Sequence, residues 1–247
     1  STPLYSSAAS DVYKRQQWCT SHIGQERDRR MNEAVIKIRE GRYSIAKRTL
    51  WSGVDIDIAP GQVVALTGPS GCGKTTLLNC LGLLDSLTGG SMEVLGHDAT
   101  RMKERQARKV RRNDIGYLFQ DFALVDTDSV ADNLAVALPP KTPQAKKSEV
   151  ISGALEQVGL AGREKEKAFS LSGGEQQRAS FARILVRTPS LILADEPTAA
   201  LDSKNSDRVL SLLQEQAAAG AAVVVVTHDD RVRDQCSEVF ELSAYCH

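Results

Sequence analysis

Residues 68–75 read Gly-Pro-Ser-Gly-Cys-Gly-Lys-Thr. Glycines this dense let the backbone curl until successive N–H groups point inward, which is the shape that holds a phosphate. A helix starting beyond Gly73 adds its positive dipole end to the same point. Gly68, Pro69, Ser70, Gly71, Cys72 and Gly73 then supply the cradle. Lys74 reaches the β- and γ-phosphates of a nucleotide, and Thr75, followed by Thr76, brings a hydroxyl to Mg²⁺. Cys72 is either a small filler or a reactive thiol beside Lys74. A second stretch, Leu-Ile-Leu-Ala-Asp-Glu at 191–196, carries two carboxylates out of an apolar run. Asp195 sits where α/β sheets place ligands and would contact Mg²⁺ through water. Glu196 suits a base that polarises an attacking water. A third stretch, Leu-Ser-Gly-Gly-Glu-Gln-Gln-Arg at 171–178, sets Ser172, Gly173 and Gly174 at the start of a run of good helix formers. Two glycines there pack poorly and suit close backbone approach instead.

These residues need elements to hold them. Residues 34–39 and 50–58 alternate apolar and polar, as half-buried strands do. Val63–Thr67 is a continuous apolar run that suits a strand buried on both faces. Strands are also predicted at 90–96, 114–120, 191–197 and 221–229, with a helix after the glycine-rich loop. The segment 101–113 reads as a basic helix with a solvated face rather than a nucleic-acid reader. Residues 121–170 contain no convincing buried strand and read as loops and two or three helices. One of these opens with Thr142 as N-cap and Pro143 in the first helical position. The pattern is a mostly parallel α/β core, an antiparallel addition at the front and a helical insertion.

Composition narrows the field. Thirty-one Lys and Arg balance thirty-one Asp and Glu, so no basic excess points to nucleic acid. Five cysteines, at 19, 72, 80, 236 and 246, show no metal-like spacing and read as free thiols. The strongest apolar run, 217–226, is half of what a membrane span needs, so any membrane role comes through a partner. Residues 1–30 lack apolar periodicity, and Asp11 to Gln16 can be encoded by a sequence resembling a library transposon end. The native chain is expected to start at Met31, with residues 31–247 as one nucleotide-binding domain and a helical subdomain at about 121–170.

The ordered motifs resemble those of ATP-binding cassette (ABC) ATPases across about residues 34–242. They are GPSGCGKT, Gln120 ending YLFQ, LSGGEQQR, LILADEPT, Ala-Leu-Asp at 200–202, and His228 after the last buried strand. The resemblance implies a P-loop NTPase with a RecA-like α/β core, an antiparallel β subdomain and a helical subdomain. It implies ATP and Mg²⁺, with Thr75, Asp195 and Gln120 around the metal. Two copies would pair head-to-tail, so that Ser172, Gly173, Gly174 and Glu175 of one chain meet nucleotide held by the other. Gln120 matches the glutamine that senses metal and water, and His228 matches the histidine that contacts the γ-phosphate. Asp202 matches an aspartate that crosses the dimer interface, although Ala200 replaces the more usual Ser there. Tyr43 matches the aromatic that stacks on adenine, or is a core tyrosine.

One cassette, with Lys74 and Leu171 97 residues apart, leaves no room for the coiled coil of DNA-repair ATPases. Ribosome-acting members normally carry two cassettes. A transporter subunit with a separate permease is therefore expected at the cytoplasmic face of a bacterial membrane, against the alternative of a soluble ABC ATPase acting on ribosomes or DNA. The stretch LFQDFALVDTDSVADNL resembles the lipoprotein-release and macrolide-efflux branch, and lactococcin-type bacteriocin exporters within it.

Overall fold

The alternating front of the sequence folds as read. In a computed structural model, which describes residues 34–199 and 201–246, Ile36–Ile45 (β1) and Arg48–Ile58 (β2) pair antiparallel. The expectations for residues 1–30 and for Ala200 lie outside the described residues. The apolar run Val63–Thr67 is β3. Gly89–Val94 (β4) and His97–Asp98 (β5) return to the first sheet, whose order is β2-β1-β4-β5. Ile115–Leu118 (β6), Leu191–Asp195 (β7), Ala222–Val226 (β8) and Glu238–Glu241 (β9) join β3 in a second sheet, ordered β6-β7-β8-β3-β9 with every pairing parallel. Sequence reasoning missed β9. It is a four-residue, mostly exposed edge strand, Glu-Val-Phe-Glu, which lacks the buried signature of its neighbours.

The parallel sheet divides two cores. Because successive side chains point to opposite faces, Val64, Leu66, Leu191, Leu193, Ala222, Val224 and Val226 pack on one side. There they meet the antiparallel sheet and helix α1 (Lys74–Leu81). Val63, Ile192, Ala194, Val223 and Val225 pack on the other side. Sequence position alone thus assigns alternate residues of one strand to different cores.

Among the described residues, six further helices complete the second core and the flanks. The basic helix α2 is Glu104–Asp114, and it buries only Ala107 and Val110. The insertion supplies α3 (Val130–Ala135) and α4 (Gln144–Gln157), with a 3₁₀ turn at Ala168–Ser170. Asn133, 3 % exposed, ties the loop before α3: its side chain exchanges hydrogen bonds with the N–H and C=O of Val125 and donates to Ser129 O. α5 (Gly173–Leu185) packs on α3 and α4, so the helical layer runs past residue 170, and α6 (Ser203–Ala218) covers the sheet beside it. A short α7, Asp230–Arg233, follows β8.

One cap differs from expectation. Thr142 does not cap α4. Pro143 is the N-cap, with extended backbone, and the Thr142 hydroxyl donates back to Pro139 O at 2.8 Å. A threonine inside a Pro-rich turn finds a local acceptor before it can reach the helix.

Candidate active site

β3 is buried along its length and delivers the chain to the loop at 68–73. Gly68, Gly71 and Gly73 have φ of 146°, 78° and 93°, where side chains are strained. At Gly68 and Gly73 space forbids them too, whereas Gly71 faces open space. A Cβ on Gly68 would lie 2.9 Å from Cys72 Sγ, and one on Gly73 would lie 2.9 Å from Trp51 Nε1. Gly73 is the N-cap of α1, with no side-chain cap and no acid in the first turn. The orphan N–H groups of that helix end are left for an anion. Lys74 Nζ leans across the same loop and donates to Gly68 O at 2.8 Å and Pro69 O at 3.1 Å. Ser70 and Gly71 are exposed at its tip.

β7 ends beside this loop. The Thr75 side chain stands beside the half-buried Asp195 carboxylate. Burial pushes that carboxyl group up; the Thr75 hydroxyl opposes it, neighbouring Glu196 adds to it, and Lys74 pulls it back. A hydroxyl and a carboxylate set side by side are the hard oxygen donors Mg²⁺ takes while keeping several waters. Glu196 has φ of 51°, rare for a residue with a side chain, and its N–H donates to Val226 O at 3.0 Å. This turn re-aims the carboxylate across the sheet end. Glu196 Oε2 lies 2.6 Å from His228 Nδ1, with Glu196 19 % and His228 72 % exposed. Sequence reasoning gave Glu196 and His228 separate roles. The structure joins them, because β7 and β8 are adjacent and both residues follow their carboxyl ends. A signal was available in retrospect: each residue lies just beyond an apolar run that pairs with the other.

Gln120 is not brought into this cluster. It is exposed in the loop after β6, and its side chain has no hydrogen-bond partner among the described residues. Phe122 and Ala123, with φ of 60° and 49°, turn that loop away from the sheet end. Arg183 holds the turn by donating to Phe122 O and Ala123 O.

The Ser-Gly-Gly stretch does start a helix. Ser172 is the N-cap of α5 in a reciprocal capping box with Glu175. Ser172 N and Oγ donate to Glu175 Oε2 at 2.8 and 2.9 Å, and Arg163 pairs with Glu175 Oε1 at 3.1 Å. These bonds, the Ser172 N–H first, hold the Glu175 carboxyl below its usual range. In this chain Glu175 therefore positions Ser172 and does not point outward as a ligand. Ser172 and Gly173 are exposed. Gly174 answers to packing: a Cβ there would lie 2.8 Å from Asn205 Cγ. Asn205 was missed by sequence reasoning. Its N–H and Nδ2 each donate at 2.8 Å to Asp202, the N-cap of α6, and Arg178 donates to its Oδ1. Asp202 is thus fixed to the signature helix through one asparagine, three residues along as a cap requires.

Tyr43 lies opposite Trp51 in the β1–β2 pairing, ring centroids 5.7 Å apart, and Trp51 is the fully buried ring under Gly73. The Tyr43 hydroxyl donates to Asp85, which with burial pushes its pKa up to about 12. The ring is half-buried and flanks the loop.

Comparison with known proteins agrees with this arrangement. Residues 51–199 match the ABC transporter family model. The chain is 38 % identical over 195 residues to the bacitracin export ATP-binding protein BceA of Halalkalibacterium halodurans, covering 78 % of this chain and 77 % of that one. It is 40 % identical over 193 residues to the lipoprotein-releasing system ATP-binding protein LolD of Anaeromyxobacter dehalogenans, covering 77 % and 81 %. Against the macrolide export ATP-binding/permease protein MacB of Chromobacterium violaceum it is 42 % identical over 190 residues, 76 % of this chain but only 30 % of that longer one. Its fold superposes with TM-score 0.76 on a dimeric post-hydrolysis state of the ATP-binding cassette MJ0796 bound to ADP and Pi, at 31 % identity over 84 % of this chain and 94 % of that one. With its phosphate loop, paired carboxylates and capped signature helix in these positions, the chain belongs to the ABC transporter ATPase family, near the lipoprotein-release and macrolide-export members.

Proposed function

We propose that this ATPase is the nucleotide-hydrolysing subunit of an export-type membrane transporter, working as a head-to-tail pair that closes on ATP. The observation that carries the reading is the cluster at the ends of β7 and β8. There Glu196, held by His228, stands next to the Thr75–Asp195 pair beside the phosphate loop. The loop binds the β- and γ-phosphates by backbone N–H groups and Lys74. Mg²⁺ on Thr75 and Asp195 would neutralise charge developing on the phosphates. Glu196 polarises the attacking water, and His228 orients Glu196 and faces the γ-phosphate. Gln120, on its exposed loop, reaches the site only when that loop moves.

The second copy is needed because the two ends of one chain do not meet. No hydrogen bond or ion pair among the described residues links the signature stretch to the phosphate loop, and their helices belong to opposite cores. Ser172 and Gly173 would engage the γ-phosphate held by the partner's loop, with Asp202 beside the seam.

Among the described residues no helix is long and apolar enough to cross a membrane, which fits attachment through a permease. A cleft of about 330 Å³ lies where the helical layer meets the sheet edge, lined by Tyr117, Phe119, Val136, Ile184 and the half-buried Arg183 and Arg187. Burial lowers the pKa of both guanidiniums, and Arg112 adds repulsion at Arg187. An apolar permease segment bearing a carboxylate suits this wall. Closure of the pair would pull on that segment from the cytoplasmic face, driving export of a peptide, lipoprotein or drug-like substrate.

The test uses Glu196→Gln with an affinity tag, captured from detergent-solubilised membranes in ATP. Recovery of a stoichiometric multi-span protein supports the reading. Recovery of ribosomal proteins or DNA-bound complexes without a membrane protein would overturn the transporter assignment and leave the ATPase chemistry standing.

A further inference from the structure

The phosphate loop has a neighbour that nucleotide chemistry does not require. Leu242–Tyr245 forms a 3₁₀ turn whose Leu242 is fully buried. This turn lies against the loop: a Cβ on Gly68 would stand 3.5 Å from Ser243 N and 3.8 Å from Leu242 Cβ. The next residue, Cys246, is fixed from two sides. Its backbone forms an antiparallel bridge with Trp51, the ring under Gly73, and its N–H donates to Ser243 O at 3.3 Å. The Cys246 thiol donates to Cys72 O at 3.6 Å and to Leu242 O at 3.3 Å, so it stands against the Cys72 residue of the loop.

The other described thiols have no such company. Cys80 is fully buried, and Cys236 bonds Val232 O at 3.3 Å. Among the described residues, 72 and 246 are therefore the cysteines placed to react with each other. Cys246 is the more exposed of the two, since Cys72 is 8 % exposed beneath the loop. A small oxidant meets Cys246 first.

We propose that Cys72 and Cys246 form a thiol-oxidation site whose reversible disulfide locks the phosphate loop against nucleotide. A peroxide is the oxidant class. Cys246 S–H attacks one peroxide oxygen to give S–OH and one water. The Cys72 sulfur then displaces that hydroxyl, forming S–S and releasing a second water. The two thiols lose two electrons and two protons, and the peroxide is reduced. A thiol takes the loop back by exchange through a mixed disulfide.

The consequence follows from where Cys72 stands. Its side chain already rests against Gly68, and its N–H donates to Pro69 O at 3.3 Å. A bond to the C-terminal turn ties the middle of the loop to a buried anchor, so the N–H groups around Gly71 and Gly73 no longer adjust around a phosphate. Burial and the adjacent Cys72 hold the Cys246 thiol protonated at neutral pH, so the site responds to sustained rather than brief oxidant. Bound nucleotide resists the same loop change, so disulfide formation is slower in its presence.

This inference rests on the phosphate loop being the nucleotide site, and the experiment separates the two. The full chain is treated with hydrogen peroxide, with and without Mg-ATP, then digested without reductant and read by mass spectrometry. Nucleotide affinity is measured before and after. The expected result is a linked Cys72–Cys246 peptide, an affinity loss of about tenfold or more, recovery with dithiothreitol, and slower linkage in Mg-ATP. Cys246→Ser should bind ATP normally and keep its affinity after peroxide, while Cys236→Ser should behave as the parent. Absence of the linked peptide, or equal loss of affinity in Cys246→Ser, would overturn the proposal. Failure of the untreated protein to bind ATP would instead strike the nucleotide reading, since the linked peptide is scored by mass alone.

Discussion

Two helices in this molecule begin at glycine-rich stretches, and their N-termini are built in opposite ways. α1 starts at Gly73 with no side-chain cap and no acid in its first turn. Its N–H groups and dipole are open to an anion, and Lys74 adds a full charge. α5 starts at Ser172 inside a closed capping box, with the Glu175 carboxylate set in its first turn. That carboxylate satisfies the helix end and offsets the dipole a phosphate would use. The first end is open to an anion within one chain. The second is a finished helix end that exposes only a hydroxyl and glycine backbone. Under the proposed head-to-tail pairing, the difference would separate binding from closure: α1 would hold nucleotide in a single chain, and α5 would contribute only across a pair.

Substitutions sharpen this contrast, beginning at the open end. Lys74→Ala should weaken ATP binding by roughly a hundredfold or more, since a charged donor to phosphate is lost. Titration calorimetry on the isolated chain reads it directly, and unchanged affinity would remove α1 from the nucleotide site. Ser172→Ala should leave that single-chain affinity within about twofold. Loss of the cap should lower stability by about 1 kcal/mol in denaturant titration. Steady-state hydrolysis should nonetheless fall by roughly tenfold or more, as for loss of one donor at developing charge. Equal losses in binding at both ends would erase the distinction.

Gly174→Ala probes what holds the closed end in place. The new methyl meets Asn205, which ties Asp202 to α5. Stability should drop by about 1–3 kcal/mol, as overpacking does. Asn205→Ala in the same chain should restore part of it by removing the obstacle. Additive losses in a double-mutant cycle would place the strain elsewhere.

The smallest effect is electrostatic. The folded Glu175 carboxyl titrates below its unfolded value near 4.5, because Ser172 and Arg163 favour the charged form. Its contribution is present above that unfolded value and is lost as pH falls through the lower folded one. The parent should therefore lose more stability than Glu175→Gln between about pH 5 and pH 3 in thermal melts. Parallel acid curves would show that the box is not charged.

Much of this was readable in the sequence, for a physical reason. β3, β7 and β8 are short continuous apolar runs, and few arrangements bury such a strand on both faces. The phosphate loop is equally legible because its requirements are backbone requirements: glycine at Gly68, Gly71 and Gly73 is dictated by φ, and at Gly68 and Gly73 by lack of space as well. Less legible was whatever depends on which side chain reaches which across the fold. The Glu196–His228 contact needs β7 beside β8 and a left-handed turn at Glu196. Asn205 fills the space over Gly174 only once α6 lies on α5. Thr142 was misread because a local carbonyl outcompeted the helix it precedes. β9 escaped because a four-residue edge strand with only Val239 and Phe240 apolar carries no continuous apolar run. The motif residues say what chemistry is present, and the packing says which of them act together.

The central claim is that the open end of one chain meets the closed end of another. It is tested most directly by mixing two crippled chains in a Glu196→Gln background, one carrying Lys74→Ala and the other Ser172→Arg. The first lacks a working loop, and in the second a bulky side chain blocks the signature. Size-exclusion chromatography with light scattering should find each alone monomeric in Mg-ATP. The mixture should form a dimer holding one nucleotide, because a head-to-tail pair gathers both defects into one interface and leaves the other intact. A mixture that stays monomeric, or a Ser172→Arg chain that pairs with itself as well as its parent, would contradict the account.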